Sequence, residues 1–116
     1  MAGRQDGEGG GRREHARVPV NHEFRSLDEF IREYVADISR GGVFVRTAEP
    51  LPVGTRVDLR FTVIADELET VEGLGTVVRA VAPGGAEAAG MGIAFDDLTP
   101  QSQAVVNRLT RDIPRR

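Results

Sequence analysis

The chain has 116 residues, of which 40% are hydrophobic and 28% are charged, a balance typical of one small soluble domain with a single modest core. That composition excludes a wholly disordered chain, and the absence of cysteine excludes disulfides, thiolate metal sites and cysteine nucleophiles. No apolar run is long enough to cross a bilayer, and residues 1–17 lack the apolar stretch of a secretory signal. We therefore expect a cytoplasmic protein.

The charges are distributed unevenly, and all 15 basic residues are arginine. Residues 18–107 carry 7 arginines against 14 acidic residues, residues 1–17 carry 4 against 3, and residues 108–116 carry 4 against 1. An acidic body with basic ends is a poor candidate for broad nucleic-acid binding, which needs a basic face across the domain. A small anion bound by a few arginines fits better, because each guanidinium is a planar fork that can pair bidentately.

The N-terminal half predicts a tail followed by strands. Residues 1–11 contain five glycines and are expected to be a flexible tail, which leaves residues 12–116 as the folded domain. Beyond the tail, alternation of apolar and polar residues is typical of half-buried strands. It predicts strands at 18–24, 57–63, 74–80 and 91–95, with further strand character at 34–38 and 43–45. Between the first two, Ser26 and Glu29 have the spacing of a capping box, which is compatible with a helical turn or an irregular loop.

The C-terminus predicts a helix. Thr99 is a good N-cap, Pro100 suits the first helical position, and apolar residues recur at helical spacing as far as Ile113. Five or six short strands at spacings of roughly ten residues, closed by one helix, predict an all-β fold in the form of a small antiparallel barrel. We expect the helix to plug one open end.

Catalysis and metal binding find little support in the sequence. His22 lies in the inward-facing register of its strand and is expected to be a packed core residue, whereas His15 belongs to a polar loop. Ser39 with His15 and Asp37 lacks a nucleophile elbow. Five acidic residues at predicted strand ends are expected to form solvated turns: Asp66, Glu67, Glu69, Asp96 and Asp97. The sequence therefore predicts no enzyme, no metal site and no cofactor.

Arginines gather where the tail meets the first strand. In RREHAR, Arg12 and Arg13 lie next to each other and Arg17 follows four residues after Arg13. A mobile arm that carries several guanidinium groups could close over a ligand and become ordered by it. A solubilising, Arg-rich terminus is the structural alternative.

A second cluster, DISRGG, follows the second region of strand character. Asp37 and Ser39 are separated by one residue, so in an extended chain both project to the same face. Gly41 and Gly42 then supply freely shaped backbone amides beside a carboxylate and a hydroxyl. The same residues also suit a tight turn.

Together, REHAR (Arg13–Arg17) and DISRGG (Asp37–Gly42) resemble the PilZ family of cyclic di-GMP receptors. The family pattern is an Arg-x-x-x-Arg loop ahead of the first strand, followed later by Asp/Asn-x-Ser-x-x-Gly, and both motifs are complete here. The resemblance extends through GGVFVRT, LPVGTRVDLRF, GLGTVVRAV and GMGIAFDDL. It implies a six-stranded antiparallel β-barrel with a C-terminal helix, of the single-domain type without a fused output domain.

The resemblance also implies a ligand, cyclic di-GMP, and a role for each motif residue. Arg13 and Arg17 would clamp guanine and phosphate, since a guanidinium can donate bidentately to guanine O6 and N7 or stack on the base. Asp37 would accept from a guanine N–H, Ser39 would add a hydroxyl hydrogen bond, and the two glycines would let the backbone approach closely. An arginine before the motif, here Arg12, favours a stacked pair of ligands, so two cyclic di-GMP molecules are expected per domain.

Three functions follow from these observations. The first is a cyclic di-GMP receptor that acts as an adaptor: the N-terminal arginine loop reorders on binding, and the signal passes to a separate protein partner. The second is a PilZ-like interaction module that does not bind nucleotide. The third, a nucleic-acid-binding barrel, is disfavoured by the acidic body and by the lack of paired aromatic residues on a strand face. None of the three requires insertion into a membrane.

Overall fold

Six strands and two helices form the part of the chain that the computed structural model describes, residues 16–35 and 40–113. The strands are β1 (Val18–Phe24), β2 (Tyr34–Val35), β3 (Gly42–Arg46), β4 (Arg56–Ile64), β5 (Leu68–Val81) and β6 (Gly90–Leu98). The helices are α1 (Leu27–Glu33) and α2 (Pro100–Leu109). The predicted all-β fold with a C-terminal helix is therefore confirmed in outline.

The strands form one mixed sheet in the order β1-β4-β5-β6-β3-β2. Neighbouring strands are antiparallel except β1 and β4, which run parallel with Val18 opposite Val57 and Phe24 opposite Val63. Within the described ranges the edge strands β1 and β2 do not pair with each other, so the sheet is not closed. The expectation of a six-stranded antiparallel barrel was correct in the number of strands and wrong in direction and closure.

The helix α1 connects β1 to β2, so no hairpin turn joins these two strands as neighbours. They lie at opposite edges of the sheet. The Ser26 hydroxyl caps it by accepting from the Glu29 N–H at 3.1 Å. The Glu29 carboxylate in turn accepts from the Arg25 N–H at 2.9 Å, so the capping-box spacing produces a helix and not an irregular loop.

The core lies on one face of the sheet, as the alternation in β4 predicts. Its buried aromatic residues come from four elements: Phe24 of β1, Phe30 of α1, Phe61 of β4 and Phe95 of β6. Phe61 lies 5.4 Å from Phe24 and 5.6 Å from Phe30, measured between ring centroids. Val106 of α2 joins the same cluster. The core therefore fastens both helices and the edge strand β1 to the middle of the sheet.

In β5 the prediction of which residues face the core is wrong. Val77 is fully buried whereas Val78 is 48% exposed, so the set Leu74, Thr76, Val78 and Ala80 points away from the core. The core-facing row contains Gly73 and Gly75, whose missing side chains conceal the periodicity from a hydropathy pattern. Register shifts between Leu74 and Gly75 and between Val77 and Arg79 disturb it further.

The helix α2 packs against β5 and β6. Its start is as predicted: Pro100 is the first helical residue, and the Thr99 hydroxyl accepts from the Ser102 N–H at 3.1 Å. The helix ends at Leu109, before Ile113. No helix among the described residues has both the length and the apolar character needed to cross a membrane.

Candidate functional site

Three of the seven predicted ligand-binding residues lie in the described part of the chain: Arg17, Gly41 and Gly42. The others, Arg12, Arg13, Asp37 and Ser39, fall outside it, as does the predicted tail over residues 1–11. In the described part of the chain the predicted site therefore consists of the last residue of the arginine motif and the two glycines of the second motif.

Arg17 stands immediately before β1 and is half-buried. Its guanidinium Nη1 donates to the Val57 carbonyl oxygen at 3.2 Å and to the Gly75 carbonyl oxygen at 3.3 Å. These acceptors belong to β4 and β5, so the side chain reaches from the edge of the sheet across one strand to the next. Both hydrogen bonds are long and both acceptors are uncharged.

The two glycines occupy positions that a larger residue would disturb. Gly41 has φ +84°, in the left-handed region that favours glycine, and a Cβ there would collide with the Tyr34 hydroxyl. Gly42 lies in β3 opposite Ala94, and a Cβ there would meet the Ile93 carbonyl oxygen. Gly41 therefore lacks a side chain where Tyr34 of β2 packs against it, and Gly42 lacks one where β3 passes close to β6.

The two motifs converge on the same segment of β5 and β6. The Gly41 carbonyl accepts from the Phe95 N–H at 3.0 Å, and Phe95 lies opposite Gly75, whose carbonyl accepts from Arg17. Three strands, β4, β5 and β6, lie between the main chain of the two motifs, but only β5 and β6 span the distance from the guanidinium contact at Gly75 to Gly41. The two motifs thus approach each other although the glycine turn leads into β3 and the arginine precedes β1.

Polar residues on the outer face of the sheet join this segment. The Arg40 guanidinium donates to the Asp96 carbonyl oxygen, and the Thr76 hydroxyl donates to the Asp96 carboxylate at 2.6 Å. Asp96 was expected in a solvated turn, but it lies within β6 and takes part in these contacts. The sequence places Thr76 in a strand and Asp96 just beyond one, and only the pairing register shows that the two residues meet.

Two open clefts lie near the glycine turn, and Tyr34, which packs against Gly41, lines both. One has a volume of about 530 Å³ and an apolar floor that includes Phe44 and Val78, with Arg79 and Glu87 paired at 2.6 Å in its lining. The other has a volume of about 420 Å³ and lies between Arg40 and the helix α2. Both have charged side chains in their lining.

His22 occupies the core-facing register of β1, as predicted. Its ring is half-buried and meets Phe24 edge-on, with 4.7 Å between ring centroids. Burial lowers the pKa of His22, because desolvation penalises the charged form, while Glu29, Glu33 and Glu23 oppose that shift. Within residues 16–35 and 40–113, no group of three or more His, Asp or Glu side chains could hold a metal ion.

The described part of the chain is thus a mostly-β domain in which an arginine is held by main-chain carbonyls and a glycine turn packs onto β6. The family model described as the PilZ domain matches residues 11–112, nearly the whole chain, and the chain belongs to this family. PilZ domains are cyclic di-GMP-binding modules and not enzymes. The resemblance drawn from REHAR and DISRGG is thereby confirmed. A comparison with curated proteins found no match.

Proposed function

We propose that this chain is a cyclic di-GMP receptor that acts as an adaptor: binding reorders its N-terminal arginine loop and signals to a separate protein partner. The observation that carries the proposal is the convergence of Arg17 and Gly41 on the facing residues Gly75 and Phe95. A ligand that bridges the two motifs therefore needs to span only β5 and β6. Membership of a family whose domains bind cyclic di-GMP supports this dinucleotide as the ligand.

The contacts of Arg17 explain how the loop would reorder. Its guanidinium is bound to two neutral carbonyl oxygens at 3.2 and 3.3 Å. A phosphate oxygen or a guanine edge offers a stronger acceptor, because charge-assisted and bidentate hydrogen bonds are shorter and more favourable than neutral ones. Exchange of the carbonyls for the ligand would thus release Arg17 from the sheet and draw the arginine motif over cyclic di-GMP.

The remaining motif residues divide the ligand between them. Arg13 would join Arg17 on guanine and phosphate, Asp37 would accept from a guanine N–H, and Ser39 would donate or accept through its hydroxyl. Gly41 and Gly42 would admit the ligand close to the backbone. The apolar floor of the 530 Å³ cleft beside this turn offers a surface on which a base can lie.

A calorimetric titration of cyclic di-GMP into the purified chain tests the proposal. We expect wild type to bind, and Arg13→Ala and Arg17→Ala to bind about 5- to 100-fold more weakly, since a bidentate arginine contact contributes about 1–3 kcal/mol. Ser39→Ala removes one hydroxyl hydrogen bond and should also bind more weakly. Arg60→Ala is the matched control, because Arg60 is exposed, lies on β4 and pairs with Glu72. If Arg17→Ala binds as tightly as Arg60→Ala, the assignment of residues is wrong although the function stands.

The same titration measures stoichiometry. With Arg12 ahead of the motif, we expect saturation at two cyclic di-GMP molecules per chain and at one in Arg12→Ala. Saturation of wild type at one would contradict the role given to Arg12. If wild type shows no binding at high ligand concentration, the receptor proposal is wrong, and the interaction module that does not bind nucleotide takes its place.

A further inference from the structure

We propose that Asp96 is a specificity-determining residue of this surface, whose carboxylate accepts hydrogen bonds from the Watson–Crick edge of guanine. The inference rests on the proposed function, because it concerns how cyclic di-GMP is distinguished from other cyclic dinucleotides. Asp96 belongs to neither motif.

Asp96 lies next to the residues on which the two motifs converge. Asp96 is exposed on the outer face of β6 and follows Phe95, the residue that donates to Gly41. On β5, Thr76 follows Gly75, the residue that accepts from Arg17. The Asp96 carboxylate therefore stands one residue beyond the point at which the two motifs approach each other.

Hydrogen bonds hold both the backbone and the side chain of Asp96 in place. The backbone of Asp96 is held by Arg40, which donates to its carbonyl oxygen, and its side chain is held by Thr76, which donates to Oδ2 at 2.6 Å. A short surface carboxylate is normally free to rotate, but here one of its oxygens has a fixed partner. Because an ionised carboxylate has about four lone-pair positions, capacity for further donors remains after the Thr76 bond.

A carboxylate is complementary to the Watson–Crick edge of guanine and not to that of adenine. Guanine presents N1–H and the N2 amino group side by side, so one carboxylate can accept from both. Adenine presents its N6 amino group beside the bare acceptor N1, which a carboxylate repels. Because Asp96 is exposed, the discrimination comes from this difference in donors and acceptors and not from burial: guanine gives the carboxylate two donors, whereas adenine gives it one donor beside a repelling lone pair. An oriented aspartate thus favours a guanine dinucleotide over its adenine counterpart.

The charge of the ligand determines in which direction its affinity changes when Asp96 is neutralised. Cyclic di-GMP is a dianion, and a carboxylate that merely stands near it repels it. If Asp96 made no contact with the base, neutralising it would strengthen binding of every cyclic dinucleotide. If Asp96 accepts from guanine, neutralising it weakens binding of cyclic di-GMP alone.

The experiment compares Asp96→Asn with Asp66→Asn, titrating each with cyclic di-GMP and with cyclic di-AMP. Asp66 is the matched control, because it is an exposed aspartate in the connection between β4 and β5, at the opposite end of β1 from Arg17. We expect Asp96→Asn to bind cyclic di-GMP roughly 5- to 100-fold more weakly than wild type, the range that one bidentate base contact provides. We expect its affinity for cyclic di-AMP to stay equal or rise, and Asp66→Asn to retain the wild-type preference.

Thr76→Val tests the positioning role of the threonine. Valine keeps the shape of threonine but removes the donor to Asp96, so we expect the preference for cyclic di-GMP over cyclic di-AMP to narrow with no change in charge. A loss of affinity for both dinucleotides in equal proportion would indicate a structural role for this pair and would overturn the inference.

The outcomes separate the inference from the proposed function. If wild type binds cyclic di-GMP and Asp96→Asn binds it as well or better, Asp96 does not read guanine, and the receptor function is unaffected. If wild type does not bind cyclic di-GMP at all, the proposed function fails, and this inference fails with it. Far-ultraviolet circular dichroism of each variant verifies that the fold is retained.

Discussion

His22 is the residue at which the core and the acidic face of α1 meet. Its ring packs edge-on against Phe24, and Glu29 and Glu33 of α1 together with Glu23 of β1 raise its pKa by less than burial lowers it. The net result is a pKa below the ordinary value of 6.5. The unfolded chain therefore binds a proton more tightly at this histidine than the folded chain does, so protonation favours unfolding.

The pH dependence of stability follows from that sign. We expect the free energy of unfolding to be steady above pH 6.5, where His22 is neutral in both states, and to fall as the pH drops below 6.5 toward the lowered folded pKa. His22→Gln should flatten this dependence, measured as the thermal midpoint between about pH 8 and pH 5.5. The other histidine of the chain gives the control, and a His15→Gln variant that removed the dependence would show that His22 is not its source.

At the scale of elements, α2 continues the pairing of β5 where β6 ends. The pairing of β6 with β5 ends where Leu98 lies opposite Gly73. At the adjoining residue, Glu72, the N–H donates to the Ser102 hydroxyl at 2.8 Å and the carbonyl accepts from the Thr99 N–H at 3.1 Å. Main-chain groups that would otherwise lie at an open edge of β5 are thus satisfied by the first turn of the helix.

Ser102→Ala should therefore destabilise the fold more than its small change in volume suggests. Ser102 is only 4% exposed, and its loss leaves the Glu72 N–H without its acceptor, which costs about 1–3 kcal/mol. Chemical denaturation measures the effect. Gln101→Ala, at an exposed position of the same helix, is the control, and equal stability of the two variants would show that the contact contributes nothing.

At the scale of the whole molecule, Phe61 links elements that are distant in the chain. Its ring contacts Phe24 of β1, Phe30 of α1 and Phe95 of β6, with centroids 5.4, 5.6 and 6.2 Å away. Because the described sheet is open at its edges, this aromatic cluster takes the place of barrel closure in fastening β1 and α1. Aromatic pairs at such distances add to the stabilisation that burial already provides.

Phe61→Ala should cost about 3–5 kcal/mol, a large part of the roughly 5–15 kcal/mol that stabilises a typical domain. Urea denaturation followed by circular dichroism measures the loss, with the milder Phe61→Leu as a second variant if the first does not fold. Phe44→Ala is the control, since Phe44 is half-buried on the outer face. A smaller loss for Phe61→Ala than for Phe44→Ala would contradict the central position of Phe61.

From this sequence, local structure can be predicted better than the pairing of strands and the contacts of side chains. Alternation locates β1 and β4 closely, and Thr99 with Pro100 marks the start of α2, because these signals depend on neighbours in the chain. The parallel pairing of β1 with β4 leaves no such trace. Nor do the acceptors of Arg17, since a main-chain carbonyl has the same chemistry at every residue. The contact between Thr76 and Asp96 likewise depends on a register that two bulges shift.

The parallel contact of β1 with β4 also bears on the order in which the chain assembles. Strands β4, β5 and β6 are consecutive and can pair through short connections, whereas 58 residues separate Arg17 from Gly75. Contacts between distant residues pay the larger loop-closure entropy and tend to form late in folding. We therefore expect β4, β5 and β6 to pair first, and the strands β1 and β3 to join them later, because Val18 pairs with the distant Val57 and Gly42 with the still more distant Ala94. Arg17 arrives with β1 and the glycine turn with β3. A chain that is still being synthesised would thus have neither part of the proposed ligand site in place before β6 has formed.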